Sequence, residues 1–180
     1  MTRSDELPRR VAVIGTSGSG KTTFAARLAD RLGVPHVELD ALFWLPDWQE
    51  PDEADFRARV EAALDGPGGW VVDGHYSRLQ REILGRVDTV VWLDLPMLAC
   101  LWRVTRRAVS RARSGELMWG TNRERWSQVI GPKSLGWWVI TTHRRRRRET
   151  EERLRDPACA TLRVHRFRST AAADAWLNSA

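Results

Sequence analysis

One eight-residue segment carries the residue types needed to bind a phosphate group. The segment Gly15–Thr22 reads Gly-Thr-Ser-Gly-Ser-Gly-Lys-Thr and fits the pattern G-x-x-x-x-G-K-[ST] at every fixed position. Its glycines allow backbone N–H groups to converge on an anion, and its lysine can reach the outer phosphates of a nucleotide. The final threonine hydroxyl is a magnesium ligand in this pattern. The segment therefore predicts a site for a nucleoside triphosphate, with ATP and Mg²⁺ as the expected ligands.

The sequence on both sides of this phosphate loop supports the prediction. An apolar run at 11–14 is typical of a buried strand, and residues 23–32 have helical spacing before Gly33. The alternative is a glycine-rich turn that fits the pattern by chance, but such a turn would not require a strand before it and a helix after it. The predicted phosphate-binding residues are Gly15, Thr16, Ser17, Gly18, Ser19, Gly20, Lys21, Thr22 and Thr23. Among them, Lys21 is also a predicted catalytic residue, and Thr22 is a predicted metal ligand.

Two aspartates follow predicted strands. Asp40 ends the strand at 36–39, and Asp73 ends the apolar run at 70–72. Beside a terminal phosphate, a carboxylate can orient an acceptor hydroxyl, take its proton or hold a magnesium-bound water. We predict that Asp40 is a catalytic and substrate-binding residue and that Asp73 is a metal residue with Thr22. Turn or helix-cap roles are the alternatives, and Asp94 is a rival for the metal.

Arginines dominate the second half of the chain. Arg103, Arg107 and Arg111 stand four residues apart and share one predicted helix face. This stripe can neutralise a triphosphate, with Arg107 as a predicted catalytic residue, or it can be an ordinary solvated face. The run at 144–148 points around a whole helix circumference. Its glutamate neighbours at i+4 favour a largely surface position, with one arginine reaching the site.

Large aromatic residues follow Asp40. We predict that Trp44 and Trp48, together with Phe43, line an acceptor pocket by stacking on a ring, with both tryptophans as substrate-binding residues. Other tryptophans fall within predicted strands and are expected in the core. His75 and Tyr76 follow Asp73 and can contact an acceptor, although a turn position explains the histidine equally simply.

Alternating strands and helices must position these residues. Predicted strands lie at 11–14, 36–39, 70–72, 89–93 and 161–167; predicted helices lie at 23–32, 52–64, 77–85, 97–113, 121–130, 135–155 and 171–177. Capping boxes at Ser77-x-x-Gln80 and Thr121-x-x-Glu124 mark two helix starts. This rhythm predicts an α/β fold with a parallel sheet covered by helices on both faces. The carboxyl ends of parallel strands meet at one edge, which brings the aspartates to the phosphate loop.

Composition narrows the class of protein. The 180 residues suit a single domain, and no stretch approaches the roughly 20 apolar residues of a membrane span. Two cysteines and a polar N-terminal segment lead us to expect a cytoplasmic protein. Residues 1–100 hold 11 Lys/Arg against 16 Asp/Glu, whereas residues 101–168 hold 18 against 6. This segregated positive charge suits a polyanion, either ATP or nucleic acid.

Several motifs together are similar to those of a known group of enzymes. They are the phosphate loop, Leu39-Asp40, Asp73-Gly74, and Leu93-Asp94-Leu95-Pro96 leading to Arg103 and Arg107. In this combination the chain resembles the adenylate-kinase-like nucleoside and nucleotide kinases of the P-loop superfamily. The segment Asp40–Trp48, with Trp119-Gly120-x-Asn122-Arg123-Glu124 and Trp137-Trp138, resembles more closely a bacterial branch named for DNA topology modulation.

The resemblance implies a three-layer P-loop fold with five parallel strands in the order 2-3-1-4-5. It also implies a mobile, arginine-bearing helical lid over ATP, at about residues 98–155. Arg103 would match the arginine that packs on the adenine, and Arg107 the one that grips phosphates. The pair Glu38-x-Asp40 is similar to the paired acids of shikimate-kinase-like enzymes, where the second acid contacts the substrate hydroxyl.

One departure from the pattern concerns the acceptor. Adenylate kinases carry Asp-Gly-Phe-Pro-Arg after the third strand, and that arginine grips the acceptor phosphate. Here the segment 73–78 reads Asp-Gly-His-Tyr-Ser-Arg, without the proline and with Arg78 one position later. Arg78 is the predicted substrate-binding counterpart, and a nucleoside or another hydroxylated small molecule becomes at least as suitable an acceptor as AMP.

These observations lead to one hypothesis and two alternatives. The leading hypothesis is a phosphotransferase that moves the γ-phosphate of Mg-ATP to a small acceptor. The first alternative is a nucleotide-dependent protein that binds nucleic acid through its basic half. The second alternative is an ATP-binding protein or ATPase without phosphotransfer. The sequence does not predict the oligomeric state.

Overall fold

The computed structural model describes residues 8–76, 79–120, 122–123, 126–129, 131–132 and 134–179. The strands are β1 (Arg10–Gly15), β2 (His36–Glu38), β3 (Trp70–Asp73), β4 (Thr89–Leu93), β5 (Leu117–Met118), β6 (Asn122–Arg123) and β7 (Arg163–Phe167). The α-helices are α1 (Lys21–Leu32), α2 (Leu39–Phe43), α3 (Glu53–Ala63), α4 (Gln80–Leu84), α5 (Met97–Ser114), α6 (Trp126–Val129), α7 (Leu135–Leu154) and α8 (Thr170–Ser179). Short 3₁₀ turns occupy Pro46–Trp48 and Pro157–Cys159.

Five parallel strands form the main sheet in the order β2-β3-β1-β4-β7. The strands β5 and β6 form a separate antiparallel hairpin. The strand β7 is therefore the fifth strand of the sheet, and the predicted α/β fold with the order 2-3-1-4-5 is confirmed. Since all five strands run in one direction, their carboxyl ends lie along the same edge.

Both faces of the sheet are covered, as the apolar character of the central strands requires. In β1, Ala12 and Ile14 join a buried cluster that includes residues of α3 and α4. The alternate residues Val11 and Val13 join a second cluster with α1 and α8. This alternation follows from the two-residue period of a strand and produces the predicted three layers.

The long helices α5 and α7 pack on each other beside the sheet. Val104 and Val139 are buried at their contact, next to Cys100 and Leu95. The spacing of apolar residues predicted both helices to within one residue at each end. Within the part of the chain that the structure describes, neither these helices nor any other is long and apolar enough to cross a bilayer.

One local prediction was wrong. The strand β2 ends at Glu38, and Asp40 lies in the first turn of α2 rather than at the end of a strand. The N–H of Trp44 closes this helix on the Asp40 carbonyl at 3.1 Å, while Leu39 is buried below it. Five residues are too few to give a clear helical period, so the pattern did not reveal this helix.

Helix caps explain other boundaries. The carboxylate of Asp52 accepts the N–H of Asp55 at 2.8 Å and starts α3, as predicted. The two predicted capping boxes begin at Ser77 and Thr121, which lie outside the described residues. Both boxes therefore stay predictions.

The close packing of the phosphate loop on α5 gives the first testable prediction. A Cβ atom added at Gly18 would lie 2.3 Å from the carbonyl oxygen of Cys100, and Gly18 has a φ of +83°. We expect Gly18→Ala to lower the free energy of unfolding by about 2–4 kcal/mol, because backbone strain and a steric clash add. Urea unfolding followed by circular dichroism measures this change.

Gly33→Ala is the matched control. Gly33 also has a positive φ of +64°, but no atom lies within 4 Å of the added Cβ. It should therefore show the conformational cost without the clash, about 1–2 kcal/mol. Equal losses in the two variants would show that the contact between Gly18 and α5 does not constrain the loop.

Candidate functional site

The phosphate loop joins β1 to α1 at the carboxyl edge of the sheet. Gly20 precedes α1 with a φ of +90°, a conformation that favours glycine, and Lys21 opens the helix. The N–H of Ser19 bonds to the carbonyl of Thr16 at 3.0 Å, which curves the loop. A helix N-terminus behind such a curve offers N–H groups and a partial positive charge to an anion.

The surroundings of two side chains in the loop, Lys21 and Ser19, suit a bound phosphate. The Nζ of Lys21 donates to the Thr16 carbonyl at 3.3 Å and so lies over the loop. Burial lowers the pKa of Lys21, while the carboxylates of Asp73 and Asp40 oppose this shift. The buried hydroxyl of Ser19 has no hydrogen-bond partner among the described residues. A desolvated ammonium and an unpaired hydroxyl suit a loop whose interactions are completed by an anion.

A hydrogen-bond chain connects α1 with the last residue of β3 and the first residue of β2. The Thr22 hydroxyl donates to one oxygen of Asp73 at 3.2 Å, and the ring of His36 hydrogen-bonds to the other at 2.8 Å. Only 1% of Asp73 is exposed. The bond to Asp73 raises the pKa of His36, and desolvation opposes this effect. The predicted pair of Thr22 and Asp73 is thus brought together, with hard oxygen atoms of the kind that Mg²⁺ prefers.

A second group of polar side chains surrounds Asp40. The Tyr76 hydroxyl donates to Asp40 at 2.6 Å. Burial, together with the charge of Asp40, raises the pKa of Tyr76, so the phenol keeps the proton that it donates. Burial and the charge of Asp73 raise the pKa of Glu38, while a hydrogen bond to the Trp119 side chain opposes the rise. The bond from Tyr76 orients the Asp40 carboxylate, and Glu38 places a second acid near it.

Thr22 from the first group and Asp40 from the second line one cavity of about 970 Å³, whereas Asp73 is buried beside Thr22. Residues of the phosphate loop line one part of it, and Asp40, Phe43, Trp44, Trp48 and Tyr76 line another. The remaining wall comes from α5, the β5–β6 hairpin and α7. The volume is sufficient for two ligands, a nucleotide and a small molecule, each of which occupies a few hundred Å³.

Aromatic rings form a continuous series along the cavity wall. The ring centroids of Trp44 and Trp48 are 5.4 Å apart, and those of Trp48 and Trp119 are 5.9 Å apart. Asn122, only 1% exposed, holds this arrangement. Its side chain accepts the N–H of Trp48 at 2.7 Å and donates to the Leu45 carbonyl at 3.1 Å. The hairpin therefore contacts the segment after α2 directly.

The arginine stripe of α5 reaches the same region. Arg107 and Arg111 line the cavity. The guanidinium of Arg103 donates to the Ser19 carbonyl at 3.4 Å and to the Thr170 hydroxyl at 2.8 Å. Arg106 lies instead in an exposed groove on another face of α5. The predicted helix face thus brings Arg103 into contact with the phosphate loop, and it brings Arg107 and Arg111 to the cavity that the loop lines.

The arginine run of α7 divides between surface and site. Arg145 and Arg147 form ion pairs with their i+4 glutamates at 3.6 and 4.0 Å, as predicted. Arg146 lines the cavity, where its guanidinium carbon lies 4.2 Å from the ring centroid of Trp138. Burial lowers the pKa of Arg146. One member of the run therefore reaches the site, as the sequence suggested.

Asp94, the rival to Asp73, has other partners. Arg166 contacts its carboxylate at 2.6 Å, and Arg147 contacts it at 3.3 Å. This buried carboxylate therefore belongs to an arginine cluster, and the bond from Thr22 is made to Asp73. Arg78 lies outside the described residues, and its predicted contact with an acceptor stays a prediction.

Several residues of the site were not singled out from the sequence or were given less weight. His36, Trp119 and Arg146 come from distant parts of the chain, and Tyr76 was only an option. Alternating or helical spacing says nothing about such contacts, which depend on tertiary packing. His75 is partly buried and lines the same cavity, and desolvation lowers its pKa to about 3, so its imidazole is neutral.

Comparison with known proteins identifies the family and superfamily to which the chain belongs. A family model described as "AAA domain" matches residues 11–125, more than half of the chain, and the chain belongs to this family. The match includes the phosphate loop, both aspartates and the α5 arginines. Together with kinase relatives, it places the chain in the P-loop kinase-like superfamily, and this part of the resemblance is confirmed. The narrower branch named for DNA topology modulation stays a prediction.

The relatives include two kinds of kinase. A shikimate kinase from Halorhodospira halophila is 32% identical over 120 residues, which cover 58% of this chain and 66% of that protein. A cytidylate kinase from Nitratidesulfovibrio vulgaris is 41% identical over 68 residues, which cover 33% and 29% respectively. The chain thus spans less than two thirds of the length of either relative.

Solved structures support the same fold. A shikimate kinase from Acinetobacter baumannii, in complex with shikimate, matches with a TM-score of 0.61 at 17% identity. The match covers 95% of this chain and 89% of that one. At this identity the similarity shows the fold alone.

The bond between His36 and Asp73 gives a prediction about pH. Because the folded-state pKa of His36 is raised above 6.5, its added stabilisation is present below that pH and is lost as pH rises through the folded-state pKa. We expect His36→Gln to lower the free energy of unfolding by about 1–3 kcal/mol near pH 6 and by less near pH 9. Urea unfolding at several pH values measures both differences.

His165→Gln is the control of opposite sign. Burial, with the charge of Arg163, lowers the pKa of His165, so its contribution is lost as pH falls. The cost of that substitution should therefore be larger near pH 9. A His36→Gln cost that does not change with pH would contradict the assignment of an ionic contact to His36 and Asp73.

Proposed function

We propose that this protein is an Mg-ATP-dependent phosphotransferase that phosphorylates a hydroxyl group of a small acceptor. One observation carries the proposal: the phosphate loop and the carboxylate of Asp40 face the same cavity. Lys21 and the loop N–H groups would bind the β- and γ-phosphates. Asp40 would hold the acceptor hydroxyl within reach of the γ-phosphate. The kinase relatives support this class of reaction.

The residues present fit a magnesium ion. Thr22 and Asp73 would hold it, directly or through water, with oxygen atoms that are already adjacent. When bound, magnesium neutralises charge on the phosphate oxygens. His36 keeps the Asp73 carboxylate oriented through its second oxygen.

The transfer step can be written with all atoms accounted for. The acceptor oxygen forms a bond to the γ-phosphorus while the bond from that phosphorus to the β,γ-bridging oxygen breaks. The electron pair of the broken bond leaves with the nucleoside diphosphate, and the hydroxyl proton passes to Asp40. The donated bond from Tyr76 keeps the accepting carboxylate in place. Lys21, Arg107 and neighbouring arginines would stabilise the charge that moves.

We also propose that residues 98–155 act as a lid within a single domain. Its helices α5 and α7 carry Arg107, Arg111 and Arg146 to the cavity, and its hairpin carries Trp119. Closure of such a segment excludes water, which would otherwise accept the phosphoryl group.

Asp40→Asn tests the role of the acid. The variant should keep nucleotide affinity but lose about 10²- to 10⁴-fold in the rate of transfer, because the amide cannot take the proton. The assay couples ADP formation to a panel of nucleosides, shikimate, amino alcohols and sugars, with purified protein and magnesium. Asp47→Asn is the matched control, since Asp47 lies exposed in the same segment and does not line the cavity. Equal rates in the two variants would exclude Asp40 as the base.

Lys21→Ala and Arg107→Ala test the residues that are proposed to contact the phosphates of ATP. Calorimetric titration with Mg-ATP should show affinity reduced at least about tenfold for Lys21→Ala, because a charged contact to phosphate is lost. Arg107→Ala should lower the transfer rate more than Arg106→Ala, its neighbour on another face of α5. Unchanged ATP affinity in Lys21→Ala would remove the basis of the proposed function.

A further inference from the structure

The part of the cavity around Asp40 has a distinct composition. We call it the acceptor compartment and define it by Glu38, Asp40, Trp44, Trp48, Tyr76 and Trp119. It combines carboxylates with aromatic rings. The rings of Trp44, Trp48 and Trp119 meet edge to face in series, so successive ring faces turn in different directions. Each indole face carries negative electrostatic potential, which attracts a cation.

The chain segment that builds this compartment is strongly acidic. Residues 32–56 contain seven Asp or Glu and neither lysine nor arginine. Three of these acids, Glu38, Asp40 and Glu50, line the cavity. Desolvation and the charges of Asp73 and Asp40 raise the pKa of Glu38, while the hydrogen bond to Trp119 and the charge of His36 oppose the rise.

The described cations of the cavity lie on other elements. Lys21 belongs to the phosphate loop, Arg107 and Arg111 to α5, and Arg146 to α7. In the proposed function these groups contact the triphosphate, whose negative charge matches theirs. The acids of the acceptor compartment would then face the second substrate.

We propose that the acceptor is a hydroxyl compound that also carries a protonated amine or a quaternary ammonium group. This inference rests on the proposed phosphotransfer and adds the charge class of the acceptor. The cation would lie against the tryptophan faces with Glu38 and Glu50 nearby, while Asp40 accepts the proton of the hydroxyl. An anionic acceptor, such as a hydroxy acid or a nucleoside monophosphate, would meet repulsion from the same carboxylates.

The same cavity already contains one contact of the required type. The Arg146 guanidinium lies over the Trp138 ring at 4.2 Å. A cation over an indole face is the most favourable form of this interaction, and desolvation strengthens it. The tryptophans of the acceptor compartment offer further indole faces beside carboxylates.

The test compares acceptors that differ only in charge. With Mg-ATP and wild-type protein, phosphate transfer is measured by ³¹P NMR and ADP formation for choline and its neutral isostere 3,3-dimethylbutan-1-ol. A second series uses glucosamine, glucose and glucuronate, and shikimate and cytidine complete the panel. In each matched series, we expect the cationic compound to show a kcat/KM at least about tenfold above its neutral counterpart, and the anionic compound the lowest value.

Two variants test whether the preference for cationic acceptors arises in the acceptor compartment. Trp44→Leu should raise KM for the preferred cationic acceptor about tenfold and KM for the neutral isostere by clearly less, because only the cation loses the electrostatic attraction of the indole face. Glu50→Lys should raise KM for the cation and lower it for glucuronate. Glu61→Lys is its control, since Glu61 is exposed on α3 and does not line the cavity.

The outcomes separate the two proposals. Transfer to shikimate, cytidine or a neutral sugar with no preference for amines would overturn the cationic acceptor and leave the phosphotransferase intact. No transfer to any compound, by protein that binds Mg-ATP in calorimetry, would overturn both. A preference for amines that Trp44→Leu and Glu50→Lys leave unchanged would also contradict this assignment of the compartment.

Discussion

The hydrogen-bond chain from Thr22 through Asp73 to His36 connects the parts of the molecule on which the site depends. It joins the first turn of α1 to the last residue of β3 and the first residue of β2, which are far apart in the sequence. Because Asp73 is almost fully buried, its charge must be balanced by groups held in fixed positions. The phosphate loop is therefore tied to the edge of the sheet through its threonine. A loop positioned in this way can bind an anion without first being ordered.

Charge is distributed unevenly along the cavity that this edge creates. The phosphate loop, α5 and α7 contribute Lys21, Arg107, Arg111 and Arg146, whereas the segment after β2 contributes acids. If the basic and acidic side chains lay side by side, they would form ion pairs, and less of their charge would be available to bind a ligand. Arg145 and Arg147 of α7, which form ion pairs with i+4 glutamates, do not line this cavity. In the arginine run of α7, Arg145 and Arg147 therefore form ion pairs within the protein, while Arg146 lines the cavity.

The sequence predicted those features that depend on local pattern. The phosphate loop and the long helices follow from motif and apolar period, whereas the order of the sheet was implied by the resemblance to P-loop kinases. Asp40 was placed near the loop, but in the wrong element, because α2 is too short to show a period. The partners of the aspartates, His36 and Tyr76, depend on side-chain packing between elements. No spacing rule in one sequence specifies such contacts.

Backbone strain near the acceptor compartment shows how the two sides of the cavity depend on each other. Asp47, Trp48 and Trp119 all have positive φ angles, between 47° and 61°, which cost about 1–3 kcal/mol each for non-glycine residues. The buried side chain of Asn122 bonds to the backbone of Trp48 and Leu45, and the Trp48 indole donates to the Arg123 carbonyl at 3.0 Å. These bonds join the hairpin to the strained segment and offset part of its cost. Separating the hairpin from this segment would break the bonds and also let the tryptophan backbones relax. Separation therefore costs the free energy of the lost hydrogen bonds and recovers the free energy of the backbone strain. Because Trp48 and Trp119 carry both the strain and the indole rings, the arrangement of the rings is coupled to the position of the hairpin.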